Sequence, residues 1–285
     1  MSIPASLPEL AESLGLTLPA LQGISVLPYR RFVKPKRDGR PRPIAEPHPV
    51  LKAVQTALIP LWEQFPVHDA AHGYVAGRSA LTNARAHAGS PLVLAYDIQD
   101  FFPSFTRRRI ASFLESRGAE SSVADFLAVL ATSPRADDSR HLVQGVPTSP
   151  IITNVLSYRL DTRLSGLAAK HGARYTRYSD DIFFSGPTDG VRRWVPAIVR
   201  SEGFATYKPR TMRSSDRQLV TGYVVNACEG APVRVPREKV RELRAAIHEA
   251  KQGRGVDPRM LFGMASHVVG ADPSKPYLDQ LRGIA

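Results

Sequence analysis

Tyr178-Ser179-Asp180-Asp181 is the stretch that decides how this chain is read. It falls between Ala173-Arg174-Tyr175-Thr176-Arg177 and Ile182-Phe183-Phe184-Ser185, two runs whose β-branched and aromatic residues read as strands. Neighbouring side chains on a flat strand point to opposite faces, so two adjacent carboxylates reach one ligand only where the backbone turns sharply. Two like charges about 4 Å apart repel by on the order of 4 kcal/mol at an effective dielectric of about 20. A divalent cation at a hairpin tip would relieve that repulsion. A solvated hairpin with two surface acids is the plainer reading of an isolated Asp-Asp pair, and the rest of the chain has to decide between them.

The 285 residues are 43% hydrophobic, enough for a substantial core. Lys and Arg number 38 against 26 Asp and Glu, and the net charge of +12 favours polyanions, either nucleic acid or an anionic membrane. No apolar run approaches the roughly 20 residues that span a bilayer. The N-terminal residues, with Pro4, Pro8 and Glu9, lack the basic-then-apolar layout of a signal peptide. The expectation is a soluble, cytoplasmic protein with no membrane partner. Cys228 is the only cysteine, which excludes an internal disulfide and a cysteine-rich zinc site.

Outward from the acidic pair, Leu92-Val93-Leu94-Ala95-Tyr96 reads as a buried strand ending at Asp97, a place where metal ligands often sit, and Pro103 breaks the ladder beyond it. Gln144-Gly145-Val146-Pro147-Thr148-Ser149-Pro150 is a turn-rich loop feeding a long helix that Gly172 ends, with Ser149 as N-cap and Pro150 at the first helical position. Residues 29–44 alternate apolar and cationic side chains around Asp38-Gly39, a basic hairpin suited to phosphate contact. Ser79 caps a helix over 80–88, which places Asn83 and His87 on one face. Helices are expected after Pro49 and over 107–117, 122–132 and 190–201. Residues 133–140 read as a polar loop and 218–226 as a strand. After Val235 an amphipathic helix carries Arg237, Arg241 and Arg244 on its polar side.

Asp97 with Phe101-Phe102-Pro103-Ser104-Phe105, the 144–150 loop and the Tyr-x-Asp-Asp hairpin together resemble the reverse transcriptases. Asn83-Ala84-Arg85-Ala86-His87 is similar to the Asn-Ala-x-x-His element of the bacterial retron enzymes, and Val220-Thr221-Gly222 to their Val-Thr-Gly element. The resemblance runs from about residue 29 to 250. Ser179 stands where alanine is commoner, and the tail after residue 250 is short for a thumb.

The resemblance implies an α+β right-hand polymerase with fingers, an antiparallel-sheet palm and a small helical thumb. Residues 1–90 would form the N-terminal segment and fingers, 91–230 the palm with a helical insertion at about 106–142, and 231–285 the thumb. It implies Asp97, Asp180 and Asp181 as catalytic ligands of two Mg²⁺ ions. Lys36, Arg42, Phe102, Gln144 and Lys208 would bind the deoxynucleoside triphosphate, with Phe102 as the aromatic gate against a ribose 2′-hydroxyl. Asn83, His87, Val220, Thr221, Gly222, Arg237, Arg241 and Arg244 are the expected RNA contacts. The implied function is copying part of a structured non-coding RNA, primed from an internal 2′-hydroxyl, into RNA-linked DNA, in anti-phage defence. No fused effector domain is expected, and a separate effector protein is the further expected partner. The alternatives are another bacterial reverse transcriptase, group II intron-like or defence-associated, and a non-catalytic RNA-binding scaffold.

Overall fold

The computed structural model describes residues 2–35, 41–137, 139–226 and 233–281. Two short helices, α1 (Leu7–Ser13) and α2 (Leu18–Ser25), open the chain, capped by the Ser6 and Thr17 side chains. The basic hairpin follows as β1 (Tyr29–Pro35) and β2 (Pro41–Pro47), antiparallel from Tyr29↔Pro47 to Pro35↔Pro41. Lys36 and the Asp38-Gly39 turn lie outside the described residues. Next come α3 (Pro49–Ala57), α4 (Ile59–Glu63), α5 (Ala80–Arg85) and β3 (Leu92–Asp97). A 3-10 turn over Phe102–Ser104 leads to α6 (Arg107–Glu115) and α7 (Ser121–Ala131). The expected polar loop contains a two-residue ladder, β4 (Ser133–Pro134) with β5 (Arg140–His141).

The helix expected to run unbroken to Gly172 is two, α8 (Ser149–Leu156) and α9 (Tyr158–Lys170), divided at Ser157. Ser149 is the first residue of α8 and not its cap. Thr148 already has helical dihedrals (φ −80°, ψ −18°), so the cap falls one residue earlier, with no side-chain cap bond. Then follow β6 (Arg174–Tyr178), β7 (Asp181–Ser185), α10 (Asp189–Ser201) and β8 (Arg210–Arg213). The strand expected over 218–226 is a tight hairpin, β9 (Leu219–Val220) and β10 (Tyr223–Val224). Thr221 (φ +45°) and Gly222 (φ +89°) form its loop, and a positive φ at both central residues is the sign pattern of a I′ turn, which reverses the chain within two residues. The chain continues as α11 (Arg237–Lys251), α12 (Pro258–Ala271) and α13 (Tyr277–Leu281).

The chain divides into two compact units. The first comprises Met1–Asp69, Ile98–Thr162 and Ile198–Ala205. In it, Phe101, Phe105 and Phe204 pack edge-on and stacked around the 3-10 turn, with ring centroids 5.1–6.0 Å apart. The Arg109 guanidinium lies 4.9 Å over Phe105 and 4.2 Å over Phe204.

The second unit comprises Ala70–Asp97, Arg163–Ala197 and Thr206–Ala285. Its centre is an antiparallel sheet in the order β6-β7-β3-β8. Residues Val93–Tyr96 of β3 are all buried, which explains why that strand is continuously apolar and does not alternate. One core cluster joins Ala84, Val93, Ala95 and Phe183 to Val220, Tyr223 and Val225. A second, around Leu243, Ile247, Leu261 and Val268, holds α11, α12 and α13 together.

Candidate active site

The β3–β7 register sets Asp97 directly opposite Asp181. Side chains of such a pair share one face of the sheet, with Cβ atoms roughly 5 Å apart. Asp180 occupies the two-residue loop between β6 and β7, because Tyr178 pairs with Asp181. Only Ser179 in that loop has a positive φ, +57°, the sign pattern of a II′ turn. The turn thus resolves the strand-alternation problem. It brings the Asp180 charge close enough to Asp181 to perturb it, although the two residues are sequence neighbours.

Burial is the largest force on the Asp181 carboxyl, followed by the charges of Asp180 and Asp97; together they push its pKa up to about 7, against the opposing pull of Arg210. Such a cluster favours an arriving cation. Among the described residues, no three His, Cys, Asp or Glu side chains are gathered closely enough to hold a metal ion by themselves. The donor set is nonetheless all oxygen, and a hard cation such as Mg²⁺ keeps several waters and uses only one or two carboxylates beside substrate phosphates. The residues present fit that mode of binding.

The hairpin is braced by a segment whose part the sequence did not disclose. Ala71 pairs in parallel with Arg177, the His72 N–H donates to the Arg177 carbonyl (2.7 Å), and the Arg177 N–H donates to the Ala70 carbonyl (2.8 Å). Gly73 lies so close that a Cβ there would sit 2.6 Å from the Ser179 nitrogen. The fully buried Arg177 donates from Nη1 to the Ser179 carbonyl at 3.1 Å, fixing the turn from within. The glycine of His72-Gly73-Tyr74 was visible as a loop residue, but its close approach to a turn a hundred residues away was not.

On the other side of β3, the Tyr207 N–H donates to the Asp97 carbonyl at 3.0 Å. Lys208, exposed, is the next residue, and Arg210, exposed at the start of β8, pairs with Ala95. Arg210 is a cation near the carboxylates that sequence reasoning missed; its only signal was its position in a basic stretch after Lys208.

Phe102, Gln144 and Arg42 belong to the first unit. Phe102 is 7% exposed and packs edge-on against Phe101 at 5.9 Å. The Gln144 carbonyl accepts from the Ala45 N–H at 3.1 Å, tying the 144–150 loop to β2, on which Arg42 stands exposed opposite Lys34. Gly145 makes that approach: its φ is +113°, and a Cβ would meet the Ala45 oxygen at 2.7 Å.

The expected RNA contacts divide. Arg237, Arg241 and Arg244 are exposed on α11, where Arg244 Nε also donates to the Tyr277 hydroxyl at 2.9 Å. Asn83, His87 and Val220, expected as RNA contacts, are instead buried, at 0%, 1% and 0% exposure. Both His87 ring nitrogens and the Asn83 amide nitrogen face protein hydroxyls, whereas Asn83 Oδ1 is buried without a hydrogen-bond partner, and α5 packs against the core shared with β3, β7 and β10. Thr221 and Gly222 are half-buried at the hairpin turn.

The family model for reverse transcriptase (RNA-dependent DNA polymerase) matches residues 34–198, and the chain belongs to that family, with its α+β right-hand polymerase fold. It is 42% identical to the retron Mx162 reverse transcriptase of Myxococcus xanthus, over 93% of this chain and 64% of that protein. Identity to the retron Mx65 enzyme of the same organism is 36% over 94% of this chain and 68% of the relative. With the retron Ec86 reverse transcriptase of Escherichia coli it is 30%, over 86% and 77%. Within the family the chain therefore falls among the retron reverse transcriptases, and it spans about two-thirds of the length of its two Myxococcus relatives. Reverse transcriptases as a family use divalent metal ions. No helix among the described residues is long and apolar enough to cross a membrane.

Proposed function

We propose that this chain is an RNA-directed DNA polymerase of retron type. It copies part of a cognate structured non-coding RNA into single-stranded DNA that stays linked to the RNA, using deoxynucleoside triphosphates and Mg²⁺. One observation carries the reading: Asp97 faces Asp181 across β3–β7, with Asp180 at the adjoining turn, in a chain of this family. Anti-phage defence alongside a separate effector protein is the biological setting the retron relationship suggests.

Asp97, Asp180 and Asp181 are the metal ligands in this reading. Two bound Mg²⁺ ions would lower the pKa of the primer hydroxyl and stabilise the attacking and leaving oxygens of an in-line displacement. Burial and the charges of Asp180 and Asp97 push the Asp181 carboxyl up to about 7, and a cation held there would favour its charged form. Lys208, next to the residue whose amide holds Asp97, serves the leaving phosphates. Arg42, with Lys36, grips the triphosphate through its planar fork. Gln144 borders the nucleotide, and Phe102 excludes a ribose 2′-hydroxyl. Arg237, Arg241 and Arg244 contact the RNA backbone from the thumb, residues 231–285. The palm is residues 91–230, with a helical insertion at 106–142, and residues 1–90 carry the fingers.

The test is incorporation of labelled deoxynucleotide by purified protein with its cognate RNA and Mg²⁺. Asp180→Asn abolishes the product. No incorporation by the wild-type protein on its own copurified RNA overturns the proposal.

A further inference from the structure

The residues from Ala80 to Gly89 make polar contacts in several directions at once. At the C-terminal side of α5, His87 Nδ1 lies 2.8 Å from the Ser185 hydroxyl of β7, and Nε2 lies 2.7 Å from the Thr176 hydroxyl of β6. These are the two strands that carry the Asp180-Asp181 turn, so one ring spans the hairpin. A neutral imidazole offers one donor and one acceptor, and a hydroxyl can answer either. Burial, reinforced by Arg174 and His72, pushes the His87 pKa down to about 3, so the ring is neutral at working pH.

At the other end, the Thr221 hydroxyl donates to the Ala80 carbonyl at 2.6 Å, and Asn83 Nδ2 approaches the same hydroxyl oxygen at 3.5 Å. Thr221 holds φ +45°, a conformation a β-branched residue adopts at a cost of about 1–2 kcal/mol, so something must keep it there. Below the turn, the Gly89 N–H donates to the Val225 carbonyl at 2.9 Å. Arg85 donates to the Gly270 carbonyl at 3.2 Å near the end of α12, and the Tyr223 hydroxyl of β10 meets His267 Nδ1 of the same helix at 2.8 Å. Polar contacts and one apolar core thus run from α12 through β9–β10 and α5 to the carboxylate hairpin, all within the second unit.

We propose that His87 and Asn83 are positioning residues: α5 is a brace that holds the Asp180-Asp181 hairpin and the Thr221-Gly222 turn in one frame. The Asn-Ala-x-x-His and Val-Thr-Gly elements are then two halves of one internal joint, with Asn83, His87 and Val220 buried inside it. This rests on the reading of Asp180 and Asp181 as catalytic ligands.

The test compares His87→Phe, which keeps a ring and loses both hydrogen bonds, with His87→Gln, which retains an amide donor and acceptor. The full chain with its RNA is used. Single-turnover incorporation falls about tenfold or more in His87→Phe, while RNA affinity and the KM for deoxynucleotide stay within about twofold, since only interactions specific to the transition state are lost. His87→Gln recovers most of the rate. A loss of RNA affinity with the rate at saturating RNA intact would mean direct contact and overturns the proposal, as does a lower Tm with an unchanged rate in the folded fraction. If His87→Phe does not fold, Ser185→Ala and Thr176→Val each remove one bond, and an unchanged rate in both has the same force. Amide hydrogen exchange at 178–181 separates this proposal from the polymerase reading. Faster exchange in the variants supports the brace even where wild-type protein shows no turnover, and unchanged exchange refutes it.

Discussion

Replacing Asp181 by asparagine makes the metal-free protein more stable while removing its activity. The carboxyl is pushed from the usual 3.8 to about 7 by burial, Asp180 and Asp97. Because the folded-state pKa is raised, the folded protein binds a proton more tightly than the unfolded chain does. Stability attributable to this group is therefore highest below about pH 4, declines through the interval up to about 7, and stays low above it. The full displacement corresponds to about 4 kcal/mol. Discounting for residual solvent at a part-exposed side chain leaves about 1–2 kcal/mol. In a chain of this size that is a rise of about 2–6 °C in Tm for Asp181→Asn near pH 8 with chelator present. Near pH 4 the gain vanishes. Added Mg²⁺ reverses the order, stabilising the wild type and leaving the variant nearly unmoved. Thermal unfolding in chelator and in Mg²⁺ at both pH values is the assay. A variant no more stable than wild type at pH 8 without metal would show that Asp181 is not under the strain inferred from its neighbours.

Gly73→Ala should drive the 71–73 segment off the Ser179 turn, since its Cβ would come within 2.6 Å of backbone; incorporation rate falls about tenfold or more with RNA binding retained, as gel shift and single-turnover assays would show. Gly145→Ala forces a side chain into φ +113° against the Ala45 carbonyl and should cost about 1–3 kcal/mol in urea unfolding, with a raised KM for deoxynucleotide. If Arg237 and Arg241 contact phosphates, alanine at each lowers the slope of log affinity against log salt by about 1 in RNA titrations, uniformly across sequences. Unchanged slopes would place the RNA elsewhere.

The acidic hairpin was legible because its turn, flanking strands and charge all sit within twelve residues. The partnership of Asp97 with Asp181 could be read only through family resemblance, since register between strands eighty residues apart leaves no local trace. Asn83 and His87 show a different limit. The sequence sets both on one face of a helix over 80–88, yet α5 ends at Arg85, and polar residues look the same in sequence whether they meet water or, as here, the hydroxyls of Thr176, Ser185 and Thr221. The 218–226 run reads as one apolar strand because Thr221 is an unfavourable residue for positive φ, so its turn is visible only through Gly222. The Ser149 cap failed by one position, within the ordinary uncertainty of helix ends. Arg177 was unremarkable in a basic chain, and nothing in its neighbours announces a fully buried guanidinium.

The placement of β3 between β7 and β8 has a consequence for biosynthesis. Both neighbours of this strand lie later in the chain, Arg213 pairing with Leu92 across more than a hundred residues. While the ribosome is still adding the intervening segments, Leu92-Val93-Leu94-Ala95-Tyr96 has emerged with two open edges and no sheet to join, the kind of segment that recruits other nascent chains. The four-stranded sheet closes only after residue 213 leaves the exit tunnel. Slow translation across 98–173 should therefore lower soluble yield more than the same delay placed after residue 213.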